Sequence, residues 1–322
     1  MLSLALPHLE SFRIRTLAST PATPADWARD TTLLSGLRLN LRETLAFLNH
    51  NRPTLQAFEE WIAGTIGHPI DPARLARLND ALSERGSVSE PLDATVPSVL
   101  TPEDLDFWDR NGYVVLHDAV APEKAQAAVD AICAWLNADL ANPGTWYGGR
   151  QGHSIWIPLL HHPALEANRQ ARRIHCAFAQ LWNREDLWVN VDQAGFNPPE
   201  KPGWSFPGPN LHWDVSLARP IPLGTQAILY LTDTAADQGA FCCVPGFHKR
   251  IDSWLDGLAR GADPRAIDLS PEVIPIPGRA GDLVIWHHAL PHGASPNRGA
   301  APRIVQYLQM QPAYWEGNPV WI

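Results

Sequence analysis

The chain has 322 residues and lacks the sequence features that mark disulfide-rich, zinc-finger, membrane and nucleic-acid-binding proteins. It contains four cysteines, and no two of them have the spacing of a zinc-binding pair. Cys242 and Cys243 are adjacent and poorly placed to bridge each other, while Cys133 and Cys176 fall in apolar runs typical of helices. This usage argues against a disulfide framework and favours a reducing compartment.

Long apolar runs and clusters of basic residues are also missing. No apolar run approaches the ~20 residues that a membrane-spanning helix needs. The formal net charge is −9 and no Lys/Arg-rich run occurs, so neither a membrane nor a nucleic acid is expected as a partner. Pro7, His8 and Glu10 interrupt the apolar N-terminus, which argues against a signal peptide. We therefore expect a cytoplasmic protein that acts on a small molecule.

Residues 1–95 have the pattern of a helical extension. Thr23, Pro24 and Asp26 form a helix-start signature, with a cap, a proline just inside and an acid in the first turn. Apolar residues then recur at helical spacing through this part of the chain. No group of residues with an obvious chemical role occurs here, so we expect a helical cap or a homodimer interface. A stretch rich in Ser, Pro, Gly and Asp, residues 86–100, has the composition of a linker.

Residues 100–322 predict a second domain that is mainly β with helices. Short runs rich in apolar and β-branched residues alternate with Gly and Pro turns, as at residues 225–232, 240–244, 283–287 and 304–311. No glycine-rich phosphate loop follows a strand, which argues against a dinucleotide-binding fold. The pattern favours a β-sandwich or a jelly roll.

A candidate metal site begins at His212-Trp213-Asp214. Side chains alternate along an extended strand, so His212 and Asp214 point to the same side. A second imidazole, from His292, would complete two histidines and one carboxylate on one face, the ligand set of non-haem Fe(II) oxygenases. Arg303, eleven residues after His292, lies in a predicted strand and could hold a carboxylate of a co-substrate in a bidentate manner.

Other residues compete for two of these roles. His287 and His288 belong to the end of a strand, whereas His292 alone precedes a glycine and lies eleven residues before an arginine. Arg298 follows Pro-Asn in a predicted turn, where a solvated side chain is expected. We therefore prefer His292 and Arg303.

A proline-rich stretch, residues 198–209, lies directly before the metal motif. An irregular loop of this length is often a lid in a compact domain. We expect the organic substrate beneath it, against Trp204, Trp213 or Trp156, with Arg150 and His153 as polar contacts.

Four motifs in order along the chain make it similar to the phytanoyl-CoA dioxygenase family of Fe(II)/2-oxoglutarate oxygenases. The resemblance extends over residues 100–312 and includes a helix leading into Asn-Gly-Tyr-Val-Val near residue 113. The residues that carry it are His212-Trp213-Asp214, Val244-Pro245-Gly246-Phe247-His248-Lys249, Gly281-Asp282-Leu283, and His292-Gly293 with Arg303.

This resemblance implies a double-stranded β-helix, that is a jelly roll, with Fe(II) on His212, Asp214 and His292. Arg303 is then implied to bind the distal carboxylate of 2-oxoglutarate, and Gln193 and Asn197 to lie near its other end. The family often has a serine two positions after the distal histidine. Ala294 stands there in this chain and Ser295 comes one place later, so the resemblance implies Ser295 as the hydroxyl near the same carboxylate.

The implied reaction uses O2 and 2-oxoglutarate to hydroxylate an unactivated C–H of a small molecule, with release of succinate and CO2. Related halogenases replace the ligand carboxylate with Gly or Ala, so the retained Asp214 favours oxygenation. Two alternatives stay open from the residues: a cupin-like metal enzyme that does not use 2-oxoglutarate, and a non-catalytic jelly-roll binding protein.

Overall fold

The structure is a computed structural model, and it describes residues 4, 6–67, 70–83, 96–148, 154–318 and 320–322. Five helices precede the sheet region within the predicted extension: α1 (Pro7–Leu17), α2 (Pro24–Gly36), α3 (Leu41–Asn51), α4 (Leu55–Ile66) and α5 (Pro72–Leu82). Five more follow: α6 (Pro102–Asn111), α7 (Pro122–Leu136), α8 (Pro163–Arg169), α9 (Arg172–Trp182) and α10 (Phe247–Asp256).

The strands are short, and all their pairings are antiparallel. The first six are β1 (Tyr113–Leu116), β2 (Trp156–Ile157), β3 (Leu187–Val189), β4 (Ala194–Asn197), β5 (Thr225–Tyr230) and β6 (Phe241–Cys243). The remainder are β7 (Ile274–Ile276), β8 (Leu283–His287), β9 (His292–Ala294), β10 (Arg303–Leu308) and β11 (Met310–Pro312).

Two sheets face each other to form the jelly roll. The larger has the order β1-β8-β5-β10-β4-β2, and the smaller has the order β7-β6-β9. Their inner faces meet, for example where the rings of Phe241 and Trp286 lie 4.4 Å apart. The space between the sheets is where the candidate site lies.

The larger sheet is covered on both faces, which explains the unbroken apolar runs of its strands. Ala227 and Leu229 of β5 pack into the core that contains α7 and α9, whereas Ile228 and Tyr230 pack toward the smaller sheet. The period-two alternation of a strand assigns neighbouring residues to these two cores. The helical layer therefore supports the sheet from behind while its other face lines the site.

The N-terminal helices pack against the sheet region through β3, which pairs with β11. Trp188 of β3 is 2% exposed and belongs to the same core as Phe58 and Ile62. The guanidinium of Arg77 lies over its ring, 4.1 Å from the centroid. Ser35 also donates to the Oδ1 atom of Asn190, at 2.5 Å. Apolar and polar contacts thus join this segment to the sheets.

Two findings bear on the composition. Within the described residues, no helix is long and apolar enough to cross a membrane. All four cysteines are free thiols, in agreement with the prediction that they form no disulfide framework.

Truncation of the aromatic side chain at this junction should destabilise the protein. We expect Trp188→Ala to lower the free energy of unfolding by about 3–5 kcal/mol, because a buried indole leaves a large cavity. Ile14→Ala, at a side chain that is 52% exposed, should change it by less than about 0.5 kcal/mol. Urea denaturation followed by circular dichroism measures both. Equal stability of the two variants would contradict the described packing.

Candidate metal centre and its two cavities

His212, Asp214 and His292 converge. One ligand atom from each lies within 4.8 Å of the other two. The Nε2 atom of His212 is 3.3 Å from Oδ1 of Asp214, and Nε2 of His292 is 3.4 Å from Oδ2 of the same carboxylate. The three side chains that the sequence predicted as ligands are therefore close enough to share one ion.

Backbone pairing holds the two histidines next to each other. The N–H of His212 donates to the carbonyl of His292 at 2.9 Å, and the N–H of His292 donates back at 3.0 Å. Gly293 makes this close approach possible, because a Cβ there would lie 2.9 Å from the carbonyl oxygen of Asn210. The glycine after the distal histidine thus has a steric reason.

Each imidazole is oriented by a backbone carbonyl. Nδ1 of His212 lies 2.7 Å from the carbonyl oxygen of Asn210, and Nδ1 of His292 lies 3.0 Å from that of Leu290. A carbonyl can only accept, so Nδ1 carries a proton in each ring, and Nε2 is the nitrogen that faces Asp214. This second hydrogen bond is typical of metal-binding histidines.

Asp214 is held in its charged form. Burial by itself would raise its pKa, but the hydrogen bonds and charges of His212 and His292 outweigh burial and hold the pKa well below its usual range. Gln226 of β5 donates from Nε2 to Oδ2 of Asp214 at 2.8 Å. Gln226 is a functional residue that the motifs of the sequence do not predict. Its signal is an amide at an inward position of an otherwise apolar strand.

Arg303 is buried without a protein partner for part of its guanidinium. It is 1% exposed, and among the described residues its Nε and Nη1 atoms have no hydrogen-bond acceptor. A buried charge normally has a paired group, so an anionic ligand is the expected partner. The planar guanidinium suits a carboxylate in particular.

A cavity of about 200 Å³, here called the inner cavity, connects Arg303 to the candidate ligands. His212, Asp214 and His292 all line it, and so does Gln193. Trp286 also lines it, and its indole N–H has no acceptor in the described part of the chain. Arg303, Trp286 and the three candidate ligands therefore surround one cavity.

Two of the predicted co-substrate residues do not reach this space. Asn197 is fully buried and its Nδ2 donates to the carbonyl of Ser295 at 3.3 Å. The Ser295 hydroxyl donates to the carbonyl of Ala240, at 3.2 Å. Neither residue is among the described residues that line the inner cavity. Asn197 pairs with Arg303 across β4 and β10, but its side chain stabilises the neighbouring backbone.

The competing residues lie away from the three converging side chains. Nε2 of His288 lies 2.9 Å from the carbonyl oxygen of Pro222, which can only accept, so Nε2 carries the proton. Burial lowers the pKa of His287 to about 3 and that of His288 to about 4, so both are neutral. His248 donates to the carbonyl of Asp109, and Arg298 is exposed. None of these four rivals is among the described residues that line the inner cavity.

The loop of residues 198–209 packs mainly on Tyr147. Trp204 makes an edge contact with its ring, and the ammonium of Lys201 lies over the same ring. Of this loop, all of which the structure describes, only Pro209 lines the inner cavity. Trp156 also reaches that cavity, while Trp213 is buried against Phe247 and Trp254 and does not.

Two further predictions about substrate contacts lie outside the described residues. They concern Arg150 and His153.

A second cavity of about 580 Å³, here called the outer cavity, adjoins the first. Asp192, Asp214, Gln226 and Gln309 line both, so the candidate metal centre lies at their junction. The outer cavity is large enough for a drug-sized molecule, whereas the inner one is much smaller. Part of its wall comes from α2, in the segment for which the sequence predicted no chemical role.

Comparison with known proteins places the chain in a family. The sequence profile of phytanoyl-CoA dioxygenase matches residues 108–305, which is more than half of the chain. The chain belongs to the phytanoyl-CoA dioxygenase family. This confirms the resemblance drawn from the motifs, and with it the class of Fe(II)/2-oxoglutarate oxygenases.

Relatives support the same fold. A Dictyostelium discoideum protein named after phytanoyl-CoA dioxygenase is 22% identical over 260 residues, covering 64% of this chain and 74% of its own. HygX from Streptomyces hygroscopicus, solved with nickel and 2-oxoglutarate, is 18% identical with a TM-score of 0.50, covering 68% of this chain and 90% of its own. The epimerase SnoN from nogalamycin biosynthesis is also 18% identical, with a TM-score of 0.49, covering 66% and 82%. The similarity to HygX confirms the predicted double-stranded β-helix.

Removal of one converging side chain should abolish metal binding. We expect His292→Ala and Asp214→Ala to weaken anaerobic Fe(II) binding by more than about 100-fold, since even indirect contacts contribute 10–100-fold to metal affinity. His248→Ala, which removes an imidazole outside the cavity, should bind Fe(II) as the parent does. Isothermal titration under argon measures all three. Unchanged affinity in His292→Ala would show that the ion binds elsewhere.

Proposed function

We propose that the protein is an Fe(II)- and 2-oxoglutarate-dependent dioxygenase that hydroxylates an unactivated C–H of a small organic molecule. The observation that carries the proposal is the buried guanidinium of Arg303, with two unpaired nitrogens, in the same cavity as the three converging ligand atoms. A metal site alone does not require that cation, but a metal site with an anionic co-substrate does.

The residues fit the proposed cofactors. His212, Asp214 and His292 would hold Fe(II) through two neutral imidazoles and one carboxylate, the ligand set that leaves positions open for other molecules. Arg303 would bind the distal carboxylate of 2-oxoglutarate, and Gln193 would lie beside the co-substrate in the inner cavity. Bound iron with 2-oxoglutarate and O2 supplies an oxidant for C–H bonds, with succinate and CO2 as by-products.

The protein's own residues would orient and protect this chemistry. The carbonyls of Asn210 and Leu290 keep both imidazoles in the ligating tautomer. Gln226 holds the carboxylate of Asp214 through a hydrogen bond, which fixes one ligand direction. Phe241 and Trp286 close the inner cavity with apolar surface and limit the entry of water.

Hydroxylation is favoured over halogenation because Asp214 is present. The carboxylate would occupy a coordination position that a halogenase leaves open for halide. Membership of the family defines the oxidant, whereas the fate of the oxidised carbon depends on the substrate and must be measured.

The two alternative functions do not explain the buried guanidinium of Arg303. A cupin-like enzyme without 2-oxoglutarate and a non-catalytic binding protein would each leave a buried, partly unpaired cation in the core, which is unfavourable. A cytoplasmic location, supported by the four free thiols, is part of the proposal, while homodimer formation through the N-terminal helices stays a prediction.

Neutralisation of the cavity arginine tests co-substrate binding. We expect Arg303→Gln to raise the 2-oxoglutarate concentration needed for half-saturation by about 10- to 100-fold, because charge-assisted hydrogen bonds to a carboxylate are lost. Fe(II) affinity should be unchanged. Arg298→Gln, at the exposed rival, should behave as the parent. Anaerobic titration of the Fe(II)-loaded protein with 2-oxoglutarate measures these constants, and equal values for Arg303→Gln and the parent would favour the cupin-like alternative.

Isotope labelling tests the reaction type. In a screen of small molecules for oxygen-dependent succinate release, the active compound should gain one oxygen atom from 18O2, detected by mass spectrometry. A product with no added oxygen would show that the enzyme catalyses an oxidation other than hydroxylation. Succinate release should disappear in Asp214→Ala, since a metal ligand is lost.

A further inference from the structure

The wall of the outer cavity includes one face of α2. Trp27, Thr31 and Ser35 recur at intervals of four residues, so they lie along one side of this helix, and all three line the cavity. The opposite side of α2 carries Leu33, which is fully buried. α2 lies outside residues 108–305, the part that matches the family profile. The N-terminal segment therefore contributes a surface beside the candidate metal centre.

Hydrogen bonds hold this surface in place. Ser35 donates to Oδ1 of Asn190, and Nδ2 of Asn190 donates to Oε1 of Gln309, at 2.9 Å. Gln309 lines both cavities, and the relay occupies its acceptor but leaves its amide N–H groups available. Asn40 adds a bond from Nδ2 to the carbonyl of Val191, at 2.7 Å. These hydrogen bonds link α2 to Gln309, one of the residues that line both cavities.

An unpartnered amide faces the outer cavity. Gln311 is only 5% exposed, and within the described residues its side chain has no hydrogen-bond partner. A buried amide without a partner is unfavourable unless a ligand or water completes it. Gln311 thus offers both a donor and an acceptor to a bound molecule.

The two cavities differ in their basic residues. Arg303 and Arg42 line the inner cavity, which suits an anionic co-substrate. No Lys or Arg is among the described residues that line the outer cavity. Asp192 and Asp214 line both cavities, and Asp214 would be neutralised by a metal. An anionic substrate, such as a phosphate ester or an acyl-CoA, would therefore meet acidic groups and no cationic partner among the described residues of the outer cavity.

Aromatic surface completes the outer cavity. Trp27, Trp315 and Trp321 line it, and Trp27 and Trp321 are 42% and 63% exposed. Flat indole faces suit the apolar face of a ring, while the amides and Asp192 suit hydroxyl and amino groups at its edge.

From these observations we infer that the outer cavity binds an uncharged or cationic polyhydroxylated ring compound, and that α2 forms part of this substrate site. The inference rests on the proposed function, because it places the substrate beside the same metal centre. It moves the expected substrate position away from the loop of residues 198–209, of which no described residue lines the outer cavity.

Paramagnetic relaxation by a bound ion tests where the ring compound binds and which charge the outer cavity prefers. The full-length protein, in excess over Mn(II) and with 2-oxoglutarate under argon, is mixed separately with glucosamine, glucose and glucose 6-phosphate. Proton relaxation of each sugar is compared with a Zn(II)-loaded blank. We expect enhancement for glucosamine and glucose that exceeds the enhancement for glucose 6-phosphate by at least about fivefold, the factor for one unit-charge contact in water.

Matched variants separate the contributions. Thr31→Trp fills the cavity from α2 and should reduce the enhancement to the level of the blank, while Ala25→Trp, on an exposed position of the same helix that does not line the cavity, should retain it. Asp192→Asn should remove any preference for glucosamine over glucose. Gln311→Leu, of similar volume, should weaken the enhancement for both sugars.

The outcomes distinguish this inference from the proposed function. Equal or greater enhancement for glucose 6-phosphate, no enhancement for any sugar, or no effect of Thr31→Trp would each overturn the inference. Water relaxation in the same samples reports whether Mn(II) is bound. Failure of Mn(II) to bind would instead contradict the proposed function.

Discussion

The structure of the site depends on the mutual hydrogen bonds between the backbones of His212 and His292. This pairing joins the first motif to β9, and it requires the absence of a side chain at Gly293. Both imidazoles are then fixed by carbonyls two residues earlier in the chain, those of Asn210 and Leu290. The positions of the two histidines are restricted, because β9, which carries His292 and pairs with His212, is itself held by β6.

The two sheets and the helices play different parts around this pairing. The larger sheet is buried on both faces, so its inner side chains can be used for function without loss of support from the helical layer. Arg303 and Gln226 are polar groups on strands that are otherwise apolar, and both face the space between the sheets. Buried polar atoms without a partner destabilise the ligand-free protein. A ligand that pairs with them removes this destabilisation.

The N-terminal segment packs against this core and also contributes residues to the wall of the outer cavity. Its apolar core includes Trp188 from β3, and its polar contacts reach Asn190 and Val191 on the chain that leads to the inner cavity. One face of α2 consequently becomes part of the wall beside the metal centre. Arginines line the inner cavity and none is among the described residues of the outer one, and this difference follows from which segments meet there.

Local pattern was enough to predict the motif residues and the helical character of the N-terminal segment, and the family resemblance implied the jelly roll. Helical spacing with a Thr23 cap defines α2, because it depends on neighbours in the chain. The strand expected at His212 and Asp214 is not formed: His212 makes a single bridge with His292, and no strand of the described chain includes His212 or Asp214. Asn197, Ser295 and Gln226 show where prediction from the sequence fails. Two amide or hydroxyl groups expected at the co-substrate bond to nearby backbone, and an unnoticed amide holds the metal carboxylate. The sequence by itself determined which residues could bind a metal and an anion. Only the tertiary structure decided which polar groups face the cavities and that α2 lines one of them, because these depend on contacts between segments far apart in the chain.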